Sequence, residues 1–248
     1  MKKLFVLIAA ACMTCTAAFA QTVKPFKEGE RAVFLGNSIT DGGHYHSYIW
    51  LYYMTRFPDM PIRVFNGGIG GDTAYDMNKR LDGDIFAMKP SVLMVTFGMN
   101  DSGYFEYNGD KPKEFGEQKY QESIKNYQQM EKRFKDLPDT RIVMVGTSPY
   151  DETVQLKENT PFKTKNETIK RLVDYQKESA AKNNWEFTDL NAPMTAINQQ
   201  YQQKDPTFTL CGSDRIHPDN DGHMVMAYLY LKAQGFAGRE VADVQIDA

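Results

Sequence analysis

The chain has 248 residues, of which 42% are hydrophobic and 25% charged. That is enough apolar content for one globular α/β domain with a sizeable core. The net charge is −3, which excludes the basic face that nucleic-acid phosphates require.

Residues 1–20, MKKLFVLIAAACMTCTAAFA, stand apart from the rest. Two lysines precede an apolar run too short to span a membrane, and Ala18-Phe19-Ala20 follows as an A-x-A site. The pattern predicts a secretory signal cleaved after Ala20, leaving 228 residues in a secreted or periplasmic protein. A lipidation site at Cys12 or Cys15 fits poorly, because Ala9 and Cys12 stand where a leucine is expected three residues upstream. Losing Lys2 and Lys3 takes the 29 basic side chains to 27 against 32 acidic ones, a mature net charge of about −5. Only Cys211 then remains, so an intramolecular disulfide is impossible and the fold rests on its core. No later run is long and apolar enough for stable membrane insertion. Residues 21–240 form the expected domain.

Five apolar, β-branched-rich runs read as strands, in chain order 31–36, 62–67, 91–98, 141–148 and 185–190. Helical text lies between them. Residues 117–137 place Tyr120, Ile124, Tyr127, Phe134 and Leu137 on one stripe, and residues 166–183 do the same with Ile169, Leu172, Val173 and Gln176. Strands alternating with helices predict a parallel sheet covered on both faces, with the first, third and fourth strands the most buried. Two long connections, residues 101–116 and 150–165, leave the carboxyl ends of the third and fourth strands, where open α/β sheets place their sites. They are candidate substrate walls. The tail, 241–248, alternates Val241, Val244 and Ile246 against polar residues. It reads as a strand that adds to an edge or begins a further segment, the latter being favoured.

The strand ends carry the chemistry. The first runs into GNSIT, the second into NGGIGGDT, the third into FGMND, and SDRIHPDNDGH follows near the C-terminus. Ser38, after Gly36, stands at a sharp strand-to-helix turn. Taken alone it suits a helix cap as well as a nucleophile. His217 is a candidate base, with Asp214 three residues earlier to orient it. Asn100 and Gly71 could donate to an oxyanion. NGGIGGDT does not complete a dinucleotide loop, since Thr73 occupies the last glycine place when the pattern starts at Gly68.

These four blocks, in this order, resemble those of the SGNH (GDSL-like) hydrolase family over residues 31–234. The resemblance implies a flavodoxin-like three-layer α/β/α sandwich with about five parallel strands. It also implies Ser38 as nucleophile, Asp214 and His217 completing the triad, and Gly71 and Asn100 in the oxyanion hole with the Ser38 N–H. It calls for no cofactor or metal. One departure is Asn37, where the family carries Asp; Ile39 also replaces Leu.

The implied reaction is hydrolysis of acyl esters, acetyl esters of carbohydrate first, with secreted bacterial esterases as the model. Tyr45, Tyr104 and Tyr107 are the candidate substrate-binding residues, and Tyr48, Trp50 and Phe105 lie in the same segments. Alternatives are a lysophospholipase or thioesterase-like lipid acyl hydrolase, and a non-catalytic carbohydrate-binding module on the same scaffold. His44 and His46 form a possible metal pair with no evident third ligand. His223 reads as helix packing, Asp41 and Asp72 as helix caps, and Ser148 as a weaker second nucleophile. Nothing points to a protein partner.

Overall fold

A computed structural model describes residues 22–158 and 160–236. The predicted signal segment and the 241–248 tail lie outside the described residues. The five strands are β1 (Arg31–Gly36), β2 (Arg63–Gly68), β3 (Val92–Val95), β4 (Arg141–Gly146) and β5 (Glu186–Asp189). All pair in parallel, in the order β2-β1-β3-β4-β5. This is the flavodoxin-like doubly wound arrangement. The central strands β1, β3 and β4 are buried almost throughout, whereas the edge strands β2 and β5 are partly exposed.

Successive strand residues face opposite sides of a sheet. Ala32, Phe34, Val92, Met94, Val143 and Val145 accordingly pack toward α2 (His44–Arg56) and α7 (Asn220–Ala233). Val33, Leu35, Leu93, Val95, Ile142 and Met144 pack toward α3 (Ala74–Arg80) and α4 (Pro112–Lys135). Helices α5 (Lys165–Lys182) and α6 (Asn191–Gln202) flank β5 in sequence. The short helix α1 (Ser38–Asp41) follows β1 directly.

The third strand is shorter than the predicted 91–98. The Gly98 N–H turns to Asp101 Oδ2 at 2.9 Å, and Gly98 adopts φ +125°. A side chain thus takes the bond that a continuing ladder would have used. The stripe on α4 is also offset. Ser123, Tyr127, Met130 and Phe134 are its buried line, with Tyr120 and Ile124 at the margin. On α5, Ile169, Leu172, Val173 and Gln176 are buried as predicted.

Candidate active site

The order of the sheet places its switch point between β1 and β3, so a crevice opens at their carboxyl ends. β1 delivers residues 36–41 there and β3 delivers residues 98–104.

Gly36 and Gly68 let the first turn close. A Cβ at Gly68 would sit 2.2 Å from the Asp41 nitrogen, so α1 could not lie against the end of β2. Asn37, 2% exposed, is the N-cap of α1. Its side-chain oxygen accepts the Ile39 N–H at 3.1 Å, and its carbonyl takes the N–H groups of Thr40 and Asp41. Ser38 is therefore not the cap. Because its neighbour does that work, the Ser38 hydroxyl and N–H are free of helix duty.

The Ser38 Oγ lies 2.8 Å from His217 Nε2. The other ring nitrogen, Nδ1, lies 2.6 Å from Asp214 Oδ2. The second carboxylate oxygen accepts the backbone N–H groups of Ile216 and His217, each at 2.9 Å. Burial pushes the Asp214 carboxyl up, but the hydrogen bonds from the His217 side chain and backbone outweigh it and hold the group below its usual range. Its bond raises the His217 imidazole above 6.5, with burial opposing.

Two features hold this segment in place. Arg215 adopts φ +69°, a left-handed conformation that is strained for a side chain with a Cβ. Its guanidinium is buried and donates to the carbonyls of Asp151 and Val154, at 3.1 and 2.7 Å. The Asp151 N–H returns a bond to the Arg215 carbonyl at 3.0 Å. Gly212, at φ +67°, leaves room for the His217 carbonyl, which a Cβ would meet at 2.2 Å.

Gly71 adopts φ +84° on an exposed loop. The Asn100 Nδ2 donates to the carbonyl of its neighbour, Asp72, at 2.9 Å, which draws the two expected oxyanion donors together. That bond uses one of the two Nδ2 protons and leaves the other. Arg80 braces the Gly71 loop from beneath. It pairs with Asp72 at 2.6 Å and donates to the carbonyls of Gly67 and Gly36 at 2.8 and 3.2 Å.

The aromatic residues are distributed differently from the expectation. Tyr45 and Tyr107 are each 2% exposed. The Tyr45 hydroxyl meets Thr40 Oγ1, and the Tyr107 hydroxyl donates to the Ser102 carbonyl and meets Thr168 Oγ1, which can donate to it. Both are core residues whose polar ends are satisfied inside, not rim residues open to substrate. Tyr48 and the exposed Trp50 sit on α2, where Tyr48 lines an apolar groove with Leu51, Met224 and Tyr228 of the α2–α7 face. Tyr104 is half-buried, and its hydroxyl donates to Asn100 Oδ1. Phe105 is 80% exposed, with Phe162 edge-on at 5.6 Å. Phe162 also meets Tyr104 at 6.0 Å and Tyr150 at 5.7 Å. The two long connections thus join in one aromatic wall, and Phe162 is the member the sequence reading missed.

Asp72 is not a cap either. Thr73 and Asp76 form a reciprocal capping box on α3, and Asp41 ends α1 rather than opening it. His44 and His46 part, with His44 exposed against His223 and His46 buried against Phe34. Among the described residues, no group of three or more His, Cys, Asp or Glu side chains could hold a metal ion. Ser148 and Cys211 are fully buried. Burial also pushes the Cys211 thiol up to about 12. Among the described residues, no helix is long and apolar enough to cross a membrane.

The sequence matches the model of the GDSL-like lipase/acylhydrolase family over residues 34–225. The chain belongs to this family. It is a hydrolase acting on ester bonds, and the expected SGNH-type fold is the one observed. The chain is 27% identical to an acetylxylan esterase of Geobacillus stearothermophilus over 224 residues, 84% of this chain and 95% of that protein. A solved structure of a catalytic mutant of an acetylxylan esterase from that organism, 24% identical, superposes with a TM-score of 0.68 over 85% of this chain and 96% of that one. A second solved structure, described as a gut microbial diltiazem-metabolizing enzyme, is 84% identical with a TM-score of 0.89. It covers 90% of this chain, which spans 50% of the length of that one.

Proposed function

We propose that this GDSL-like hydrolase is a secreted serine esterase that removes acetyl groups from carbohydrate. The observation that carries the reading is the unbroken chain from Ser38 Oγ through His217 to Asp214. In the proposed cycle, Ser38 Oγ attacks the ester carbonyl carbon while its proton passes to His217 Nε2. Asp214 keeps the imidazole in the tautomer that can accept it. The Ser38 and Gly71 N–H groups and the remaining Asn100 Nδ2–H receive the oxyanion, each at ~2.7–3.1 Å from its position. Collapse breaks the bond to the leaving alkoxide, which takes the proton from His217. Water then attacks the acetyl-enzyme by the same route and releases acetate and free Ser38.

Two features favour carbohydrate on the alcohol side. A cleft of about 320 Å³ beside Asn100 is lined by polar residues, among them Thr73, Lys119, Glu122 and Asn126, whose stems also offer apolar surface. The exposed Phe105 ring offers an apolar face of the kind on which a sugar ring can stack. The similarity to an acetylxylan esterase agrees with this choice. The 84% identity to a diltiazem-metabolizing enzyme makes diltiazem a further candidate substrate. Diltiazem is itself an acetate ester, so one acetyl-specific site would serve both.

The test is acetate release from a panel of acetylated polysaccharides, diltiazem and 4-nitrophenyl esters of increasing chain length, with Ser38→Ala alongside. The expected result is release from acetylated glycan, steep loss beyond acetyl, and no release or organophosphonate labelling with Ser38→Ala. Undiminished labelling of that variant would exclude Ser38 as nucleophile. Preference for long acyl chains would favour the lipid reading, and glycan binding without any release would favour the binding module.

A further inference from the structure

We propose that Tyr104 is a positioning residue for the oxyanion site: its hydroxyl orients and polarises the Asn100 amide from behind. The inference rests on the reading of Asn100 as an oxyanion donor.

The Asn100 side chain has two polar ends and both are engaged. Its Nδ2 donates to the Asp72 carbonyl at 2.9 Å. A carbonyl can only accept, so this contact fixes which end of the amide is nitrogen. The oxygen end must then find a donor, and the Tyr104 hydroxyl supplies it. A phenol has one proton, so Tyr104 cannot also donate it to substrate. A hydrogen bond received at Oδ1 draws electron density from the amide nitrogen and makes the remaining Nδ2–H a stronger donor.

Tyr104 is itself held from below. The Lys165 side chain, fully buried, places Nζ 4.0 Å from the centre of the Tyr104 ring. The same Nζ donates to the Met99 carbonyl, Ser102 Oγ and the Gly103 carbonyl, at 2.7, 2.6 and 2.5 Å. These acceptors bracket Asn100 on both sides. Asp101 completes the frame, accepting the N–H groups of Ala74 and Gly98 at 2.9 Å each and the Ser123 hydroxyl at 3.0 Å. One loop is thus clamped at every residue from 98 to 104, and the two protons of the Asn100 amide are sorted. One is spent on Asp72 and the other is left for a ligand.

The test is Tyr104→Phe, which keeps the ring over Lys165 and removes only the hydroxyl. Losing a direct oxyanion donor costs ~10²–10³ in kcat. A group acting behind that donor should cost less, about tenfold in kcat, with KM changed less than twofold. The affinity of a boronic acid, which forms a tetrahedral adduct on serine, should fall by the same factor. In an Asn100→Ala background, Tyr104→Phe should add less than a further twofold, because its effect runs through the missing amide. An unchanged kcat in Tyr104→Phe would overturn the proposal, as would a full effect in the Asn100→Ala background. A raised KM at constant kcat would overturn it in favour of direct substrate binding. Failure of the parent reading looks different: Asn100→Ala alone would then leave kcat at the wild-type level.

Discussion

Residues 214–217 and residues 98–104 both present polar side chains at the carboxyl edge of the sheet, and both are anchored at long range, the first through Arg215, but their functional side chains are set differently. In the first segment, the Asp214 carboxylate meets His217 and the backbone within a span of four residues. Both side chains remain nearly half exposed, at 45% and 48%. In the second, the bonds come from far along the chain: Lys165 lies 66 positions from Met99, and Asp101 reaches Ala74 across 27. Asp101 and Lys165 are buried. In the proposed cycle, the group that accepts and returns a proton is left near water and is set by its near neighbours. A group that must only stay still is built into the core. The first arrangement ties function to local chemistry, the second ties it to global stability.

Substitutions separate the two designs, and the largest expected effect lies on the local side. Asp214→Asn keeps an oxygen for the backbone N–H groups but removes the acceptor that selects the productive tautomer. The expected loss in kcat is roughly 10⁴-fold, as for the corresponding change in a serine protease triad. Thermal unfolding followed by circular dichroism should barely move. A variant that unfolded instead would show that the Asp214 segment is structural.

Lys165→Met should do the reverse. It removes the Nζ donor from two carbonyls and a hydroxyl; the Met99 carbonyl keeps the Ser102 hydroxyl at 3.0 Å, while the Gly103 carbonyl loses its donor, a cost of about 1–3 kcal/mol. The melting temperature should drop by several degrees, while activity per folded molecule falls less than with Asp214→Asn. Lys165 also marks stability with a pH signature. Burial pushes its ammonium down from 10.5 to about 7, with Asp101 and Glu152 opposing. Between those values the unfolded chain binds a proton that the folded chain does not, so stability should rise as pH climbs from about 7 toward 10.5. Urea unfolding across that range should show the rise in the wild type and its absence in Lys165→Met.

The same comparison accounts for what the sequence reveals. Strand positions, their alternation and the order of blocks are local patterns; β1 matches its predicted span, while β3 and β4 lie within theirs and end sooner. The Asp214–His217 spacing is equally local. The Asn100 and Gly71 loops are not, because neither Lys165, which holds the first, nor Arg80, which braces the second, lies in a motif and each is defined by distant carbonyls. Tyr45 and Tyr107 depart from the expectation for a related reason. Their segments do reach the rim, but the side chains turn inward to Thr40 and Thr168. No local pattern marks Phe162, because the rim rings it meets, Tyr104 and Phe105, lie more than fifty residues away, and its nearer partner Tyr150 is buried.

Histidine basicity gives a smaller but more specific effect. In the proposed cycle His217 must be neutral to accept the Ser38 proton, and Asp214 raises its pKa above 6.5. Activity should therefore appear as pH rises, with the acid limb of kcat/KM centred above 6.5. In Asp214→Asn the residual activity should show that limb at lower pH, because the bond that raises it is weakened. A limb at unchanged pH in the variant would detach the shift from Asp214.

The smallest expected effect is at Asn37, where the family carries Asp. The structure gives this side chain one visible task, accepting the Ile39 N–H as the cap of α1. A carboxylate oxygen can do the same, and a negative charge is favoured at a helix N-terminus by about 0.3–1 kcal/mol. Against this stands the burial of the position at 2% exposure, which opposes a charge. These terms oppose each other, so Asn37→Asp should leave kcat and the melting temperature nearly unchanged. Asn37→Ala removes the acceptor and should cost about 1 kcal/mol of stability, with a fall in kcat as the Ser38 turn loosens. If Asn37→Asp proved as damaging as Asn37→Ala, the cap would not be what this residue supplies, and its amide nitrogen would have to carry the role.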